Sequence, residues 1–420
     1  MNRIIASCII LLAHTIASAQ SPHSLSIEEC YMLSRQHYPL LKQTDVIIKS
    51  SEYSIDNISK AWYPQVNLNG QASYQSDVTQ IPIKLPNINI ENPGRDQYRV
   101  YAEVTQSLYD GGISKQQKHL LENSATIEAQ KVEIELYKLK ERITQLFFGI
   151  LLINEQLNQV QIIKSDIHSG INKAEGAVTN GAALKSSADI LKAELLKNEQ
   201  HETELKAGRK AYLIMLGLFI NKQLDQNTVL DKPQSHPPTS SINRPELNFF
   251  ELQKKSTIIQ DKLISAKNLP KIGLFLQGGF GKPAMNLLKN QFEAYYIGGL
   301  RVSWSLAGLY TERKDGQQQD LNRLSLDIQK ETFLFNTNIS LSQQAEDIKK
   351  IQELIQTDNE IISLRTSIKN TAYAQLNYGT ITSNDYLREA NAEDQARQSL
   401  ILHQIQLLMT QYTYRVTAGN

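Results

Sequence analysis

The chain has 420 residues, 41% apolar and 21% charged, with 44 Lys plus Arg against 43 Asp plus Glu. Neither sign dominates, so there is no strong field to hold nucleic acid or another polyanion. Two cysteines exclude a disulfide framework and a cysteine zinc site of the usual spacing, and a mean hydropathy of −0.37 excludes a bundle of membrane-spanning helices.

Residues 1–19 read as a secretory signal. Arg3 supplies the positive start and Ile4 to Ile16 the apolar run, broken mildly by Ser7, His14 and Thr15. Ala17-Ser18-Ala19 fits the cleavage site, leaving Gln20 first. The run is too short to span a membrane. Cleavage removes Cys8 and one of the 44 basic residues, so the mature chain is neutral and keeps one thiol, Cys30. Cys30 reads as a small apolar contact. No later stretch of about eighteen residues is apolar and uncharged. The exported chain is then either soluble or enters an outer membrane as β-strands.

A helix is expected over about 26–60, opened by the capping-box pattern Ser26-Ile27-Glu28-Glu29. The period then falls to two. Val66, Leu68, Gly70, Ala72 and Tyr74 alternate with Asn67, Asn69, Gln71, Ser73 and Gln75, giving a strand at about 64–76. Tyr98, Val100, Ala102 and Val104 alternate with Arg99, Tyr101, Glu103 and Thr105, giving a second at about 97–108. Between them, Asp77 to Gln97 holds Pro82, Pro86, Pro93 and Gly94, a non-helical connection.

A long rod follows, about 113–170. Leu136, Leu139, Ile143, Leu146, Ile150, Ile153, Leu157 and Val160 step by three and four, a coiled-coil seam. A helix of roughly 55 residues is about 80 Å long. Next comes a shorter helix, Ser187 to about Met215, then the proline-bearing segment 217–245 with Pro233, Pro237 and Pro238.

The second half repeats this order. A helix at about 246–267 precedes strands at about 271–281 and 295–306, a rod at about 310–376, and a helix from Asn384 to about Thr417. The second rod's stripe is Leu321, Leu324, Ile328, Ile348, Ile351, Ile355 and Ile362, with Asn359 and Thr366 where apolar residues belong. The repeats therefore run 20–216 and 246–420, joined by 217–245. Gly181-Ala182-Ala183-Leu184 through Asp189 matches Gly379-Thr380-Ile381-Thr382 through Asp385 after the rods. A duplicated unit this large is no solenoid repeat.

Each strand is about ten residues, the length of a tilted membrane strand. Four strands cannot close a barrel and open edges are not tolerated in lipid, so membrane insertion requires oligomerisation.

The pattern resembles the TolC family of outer-membrane efflux proteins over the whole mature chain. The resemblance rests on the duplicated helix-strand-strand-helix unit, Gln106-Ser107-Leu108-Tyr109-Asp110-Gly111-Gly112 where strand meets rod, Arg244-Pro245-Glu246-Leu247, and the glycine turns followed by Asp-x-Leu. It implies a mainly α chain with a transmembrane β-barrel portion. Three chains would share a 12-stranded barrel, four strands each, and their long helices would form a periplasmic α-barrel. It implies a Gram-negative outer-membrane exit channel working with a periplasmic adaptor (membrane fusion) protein and an inner-membrane pump. Polypeptide export by a type I system is the alternative cargo, and a poreless periplasmic coiled-coil adaptor the alternative class.

In the family, acidic side chains near the turns narrow the periplasmic mouth. The matching positions are Asp385, Arg388 with Glu389 beside it, and Asp189; the family's basic residue is Ile381 here. Asp385 and Arg388, three apart, are placed to pair. Ser186-x-x-Asp189 and Thr382-x-x-Asp385 also both have the form of capping boxes. No catalytic motif, metal-ligand cluster or cofactor site is found. Gly278-Gly279-Phe280-Gly281-Lys282-Pro283 lacks the spacing of a phosphate loop and fits strand packing or a turn instead.

Overall fold

A computed structural model describes residues 24–79, 92–235, 237, 241–287 and 289–420. The signal segment, Pro82, Pro86 and Pro238 lie outside the described residues. The elements are α1 (Ile27–His37), α2 (Lys42–Ser59), β1 (Gln65–Tyr74), β2 (Asp96–Tyr109), α3 (Ile113–Thr179), α4 (Lys185–Ile220), α5 (Pro245–Lys267), β3 (Lys271–Lys282), β4 (Glu293–Ser303), α6 (Gly308–Asn377) and α7 (Ser383–Ala418). The order helix, strand, strand, rod, helix occurs twice. The helix expected over 26–60 is two, because Pro39 pushes Tyr38 into an extended conformation that ends α1. The first rod, expected to stop near Gly170, runs on to Thr179. Gly170 is tolerated mid-helix because the ring of Tyr386 lies where its side chain would be.

The residues separate into two units. One comprises 39–138, 239–343 and 415–420 and holds the sheet. Its four strands are all antiparallel, in the order β1-β2-β3-β4. Alternation sorts the faces. Val66, Leu68, Val100, Leu274, Leu276, Phe280, Leu300 and Val302 form one apolar face, and this chain leaves it bare: Leu68 is 79% exposed and Val66 68%. Asn67, Asn69, Gln71, Arg99, Glu103, Gln277 and Arg301 form the other. Among the described residues, the outer edges of β1 and β4 have no strand beside them.

Gly279 is required by close approach. A Cβ there would stand 2.1 Å from the Val100 carbonyl oxygen and 2.5 Å from the Tyr101 Cα. The glycine run of β3 is therefore strand packing.

The junction of β2 with α3 explains the Asp110-Gly111-Gly112 sequence. Both glycines have positive φ, 76° and 83°, and a Cβ on Gly111 would meet the Ala266 carbonyl oxygen at 2.5 Å. Asp110 then accepts from the backbone N–H groups of Gly112 (2.8 Å) and Ser114 (2.7 Å), capping α3. Arg244-Pro245-Glu246 is a clamp. Pro245 opens α5. Arg244 pairs with Glu246 and stacks 4.9 Å from the Tyr137 ring centroid. Arg244 and Tyr137 both donate to the Val416 carbonyl, at 3.3 and 2.8 Å.

The other unit comprises residues up to 38, 139–238 and 344–414. Its main core gathers Ile27 and Cys30 of α1, Ile143, Phe147, Phe148 and Ile150 of α3, Leu213, Leu216 and Ile220 of α4, and Ile405 and Tyr412 of α7. Leu25 bridges Leu230 in parallel at its margin. Burial pushes the Cys30 thiol up to about 12, so it packs as an inert apolar group. One stretch of α3 is long and apolar enough to cross a membrane by composition, and several of its apolar residues are spent in this core. A second cluster joins Ile163, Ile167 and Ile171 of α3, Leu191 of α4, Ala372 of α6, and Tyr386 and Ala390 of α7.

Gly279→Ala is expected to lower the thermal midpoint of the detergent-solubilised protein by several degrees. Gly70→Ala, whose Cβ would meet nothing within 4 Å, is expected to leave it within a degree or so. Circular dichroism melts rank the two.

Candidate functional site

The turns after the two rods are built alike. Gly181 (φ 73°) and Gly379 (φ 69°) are left-handed. The following residues reach back to the rods, Ala182 N–H to the Ala177 carbonyl (2.8 Å) and Thr380 N–H to the Gln375 carbonyl (3.0 Å). Both are Schellman closures, which need a residue free to take positive φ. The next helices start differently. In the second turn, the Thr382 hydroxyl accepts from the Asp385 N–H (3.2 Å), and the Asp385 carboxylate accepts from the Thr382 N–H (3.1 Å) and hydroxyl (2.7 Å). This is a reciprocal capping box on α7. Those hydrogen bonds, Thr382's hydroxyl first, hold the Asp385 carboxyl below its ordinary range, with a smaller pull from the Arg388 charge.

In the first turn the box does not form. Leu184 occupies the N-cap of α4 and offers no side-chain acceptor. Ser186 falls inside the helix and Asp189 is exposed on its surface. The expected pair of Asp385 with Arg388 does not form either. Arg388, 72% exposed, pairs with its neighbour Glu389 at 3.1 Å. Glu389 is half-buried and also faces Arg365 at 3.4 Å.

Behind these residues lies a polar cluster that sequence reasoning did not single out. Glu393 is one turn beyond Glu389 on α7 and buried. Its carboxylate accepts from Lys369 (2.9 Å), Arg397 (2.6 Å) and the Thr366 hydroxyl (2.9 Å). Lys369 also reaches Asp166 of α3 at 2.7 Å, and the Tyr386 hydroxyl donates to the Asp166 backbone carbonyl at 3.4 Å. Burial works to raise the Glu393 pKa, but the donors from Lys369, Arg397 and Thr366 outweigh it and leave the carboxyl lowered. Lys369 is likewise pulled down by burial and held up, on balance, by Asp166 and Glu393. Nearby, Asp394 accepts from Gln159 (2.8 Å) and Gln398 (2.7 Å), and Asp358 meets His403 at 2.6 Å. The signal in the sequence was Thr366, an interruption of the apolar seam whose hydroxyl serves Glu393.

The cluster ties α3, α6 and α7 together by charge. Nothing in it pairs a nucleophile with a base, and no group of three or more metal-ligating side chains occurs among the described residues. Glu393→Ala takes the carboxylate from Arg397, leaves Lys369 only Asp166, and is expected to destabilise this unit by about 3 kcal/mol, read from denaturant unfolding. Both depressed carboxyls contribute stability that is complete above their ordinary values, 4.5 for Glu393 and 3.8 for Asp385, and lost as pH falls through the folded values. The stability gap between Glu393→Gln and the parent protein is therefore expected to narrow in acid.

No family sequence model matches the chain, and no curated protein sequence matches it. Solved structures do. The channel CusC matches with a TM-score of 0.68 at 11% identity, over 94% of this chain and 92% of that one. The outer-membrane protein VceC from Vibrio cholerae matches at 0.65 and 11% identity, over 94% and 96%. The open state of the MtrE outer-membrane channel from Neisseria gonorrhoeae matches at 0.65 and 10% identity, over 94% and 89%. The chain therefore shares the fold of these solved structures, with long helices and a four-stranded antiparallel sheet.

Proposed function

We propose that the chain is the outer-membrane exit duct of an efflux system, a passive conduit for small molecules. Three copies share one 12-stranded barrel, each giving β1 to β4, and their helices extend into the periplasm. The observation that carries this reading is the bare apolar face of a sheet whose two edges are unpaired among the described residues. Such a sheet is unstable in water, where the face is exposed, and in lipid, where the edges are. Closure with further copies satisfies both demands at once.

A second observation supports an oligomer. Leu321, Leu324, Ile328 and Phe335 form a heptad-spaced stripe on α6, each more than half exposed. In the other unit, Leu354, Ile361, Leu364 and Ile368 form a heptad-spaced set of their own, also exposed. A seam of this kind expects a neighbouring helix. The number three is what the resemblance to the TolC family implies.

The conduit does no chemistry in this reading. An inner-membrane pump supplies the energy and a periplasmic adaptor joins it to the duct. Asp385, with Arg388, Glu389 and Asp189 near the rod ends, is the candidate constriction. Capping and gating are compatible for Asp385, whose side chain keeps partial exposure while it caps α7.

Light scattering of the mildly solubilised complex, with the detergent subtracted, is expected to give the mass of three mature chains from carbonate-resistant membranes. A soluble monomer overturns the duct and returns the chain to a poreless adaptor or rod. In planar bilayers, Asp385→Ala is expected to reduce cation preference, seen as a smaller reversal potential in a salt gradient. An unchanged reversal potential removes Asp385 from the constriction.

A further inference from the structure

The polar face of the sheet carries two arginines that cross the same strand in opposite directions. Arg301 leaves β4, lies 4.6 Å from the Phe275 ring centroid on β3, and meets Glu103 of β2 at 3.1 Å. Arg99 leaves β2, and its guanidinium carbon comes 5.9 Å from the Tyr295 ring centroid on β4. β2 and β4 are not neighbours; β3 lies between them. The second crossing is possible because β3 presents Gly279 and Gly281 there. Gly281 is the register partner of Arg99, and Gly279 that of both Tyr101 and Tyr295. No β3 side chain stands between the guanidinium and the ring.

The two arginines differ in what balances them. Arg301 is neutralised by Glu103. Glu293, which shares the row of Arg99 through Gly281, is taken by Lys289 at 2.9 Å. Among the described residues no ion pair joins Arg99 to a carboxylate, and its side chain is exposed. Beside it the Tyr295 hydroxyl is buried without a hydrogen-bond partner among the described residues. The site thus offers a planar cation with no carboxylate on it among the described residues, and two tyrosines across a glycine.

We propose that Arg99, backed by Tyr295 and Tyr101, is a solute-binding position on the barrel wall for organic anions. A carboxylate, sulfonate or phosphate group takes the guanidinium N–H pair, which matches such groups bidentately. The apolar body of the solute rests against the tyrosine rings. A thin wall backed by lipid screens the charge less than bulk water does. The site stays open to solvent, so binding remains weak enough to release, as conduction requires. The proposal rests on the duct reading and adds the class of solute.

The test is single-channel recording with naphthalene-2-sulfonate added on one side, against tetrapropylammonium as a cation of comparable size. The sulfonate is expected to block the parent channel in a concentration-dependent way. Arg99→Gln is expected to weaken that block about tenfold, the loss of one charge-assisted contact. Arg99→Lys, which keeps the charge and loses the planar fork, is expected to fall between, and tetrapropylammonium block to be unchanged by either substitution. Normal unitary currents with no sulfonate block, or with block equal in the parent and Arg99→Gln, overturn the site and leave the duct intact. Absence of unitary currents in the parent protein overturns the duct and the site together.

Discussion

An open strand edge exposes a row of N–H and C=O groups, and in hydrocarbon each unpaired group costs several kcal/mol. This constraint governs how the four strands can be used. β2 and β3 are paired on both sides, while β1 and β4 each keep one side bare among the described residues. The meander order places the two bare edges at the outside, where copies of the same chain can meet them. In the proposed barrel, the face alternation then fixes what each side of the closed sheet touches. A slip of one residue would turn Leu68 and Val100 inward and Asn69 and Glu103 outward. The register is therefore guarded by both faces, and on the polar one by the Arg301–Glu103 pair spanning β4 to β2.

The rods obey a second constraint. A helix of 67 or 70 residues cannot bury itself within one small core, so its partners must change along its length. α3 uses Phe147 and Phe148 against α1, α4 and α7 in one cluster and Ile167 and Ile171 against α4, α6 and α7 in another. Where the seam of α6 turns polar, the partner residues are polar too. Thr366 serves Glu393, and Asp358 serves His403. A buried ion cluster contributes less net stability than apolar packing of the same volume. What it adds is intolerance of a wrong partner: α6 shifted by one turn would leave Glu393 without Lys369.

Much of this was legible in the residues. Period-two alternation located all four strands, because a sheet with one apolar face writes its geometry into every second position. The rod-end glycines were legible because a Schellman turn admits few other residues. Other features were not. The break at Pro39 was hidden by helical periodicity on either side. The two Asp-x-Leu turns looked alike, yet only one forms a box, because the cap depends on Thr382 in one repeat and Leu184 in the other. Glu393 was missed because a glutamate on a helix ordinarily faces water; its burial depends on Lys369 and Asp166, which lie far from it in sequence.

Arg99 and Arg301 show why residue type alone could not have separated structure from function. Both stand on the polar face, both touch an aromatic ring and both cross β3. In sequence they are equivalent polar positions of two strands. The register divides them. Arg301 reaches a carboxylate two strands away, so its charge is satisfied and its role is to brace. Arg99 ends over a ring on glycine-paved ground, and the nearest acid in its row is already paired with Lys289. A brace that needed no anion would be served as well by a neutral planar amide. In the proposed duct, a guanidinium with no carboxylate partner among the described residues retains a charge for a solute or bulk ion to answer.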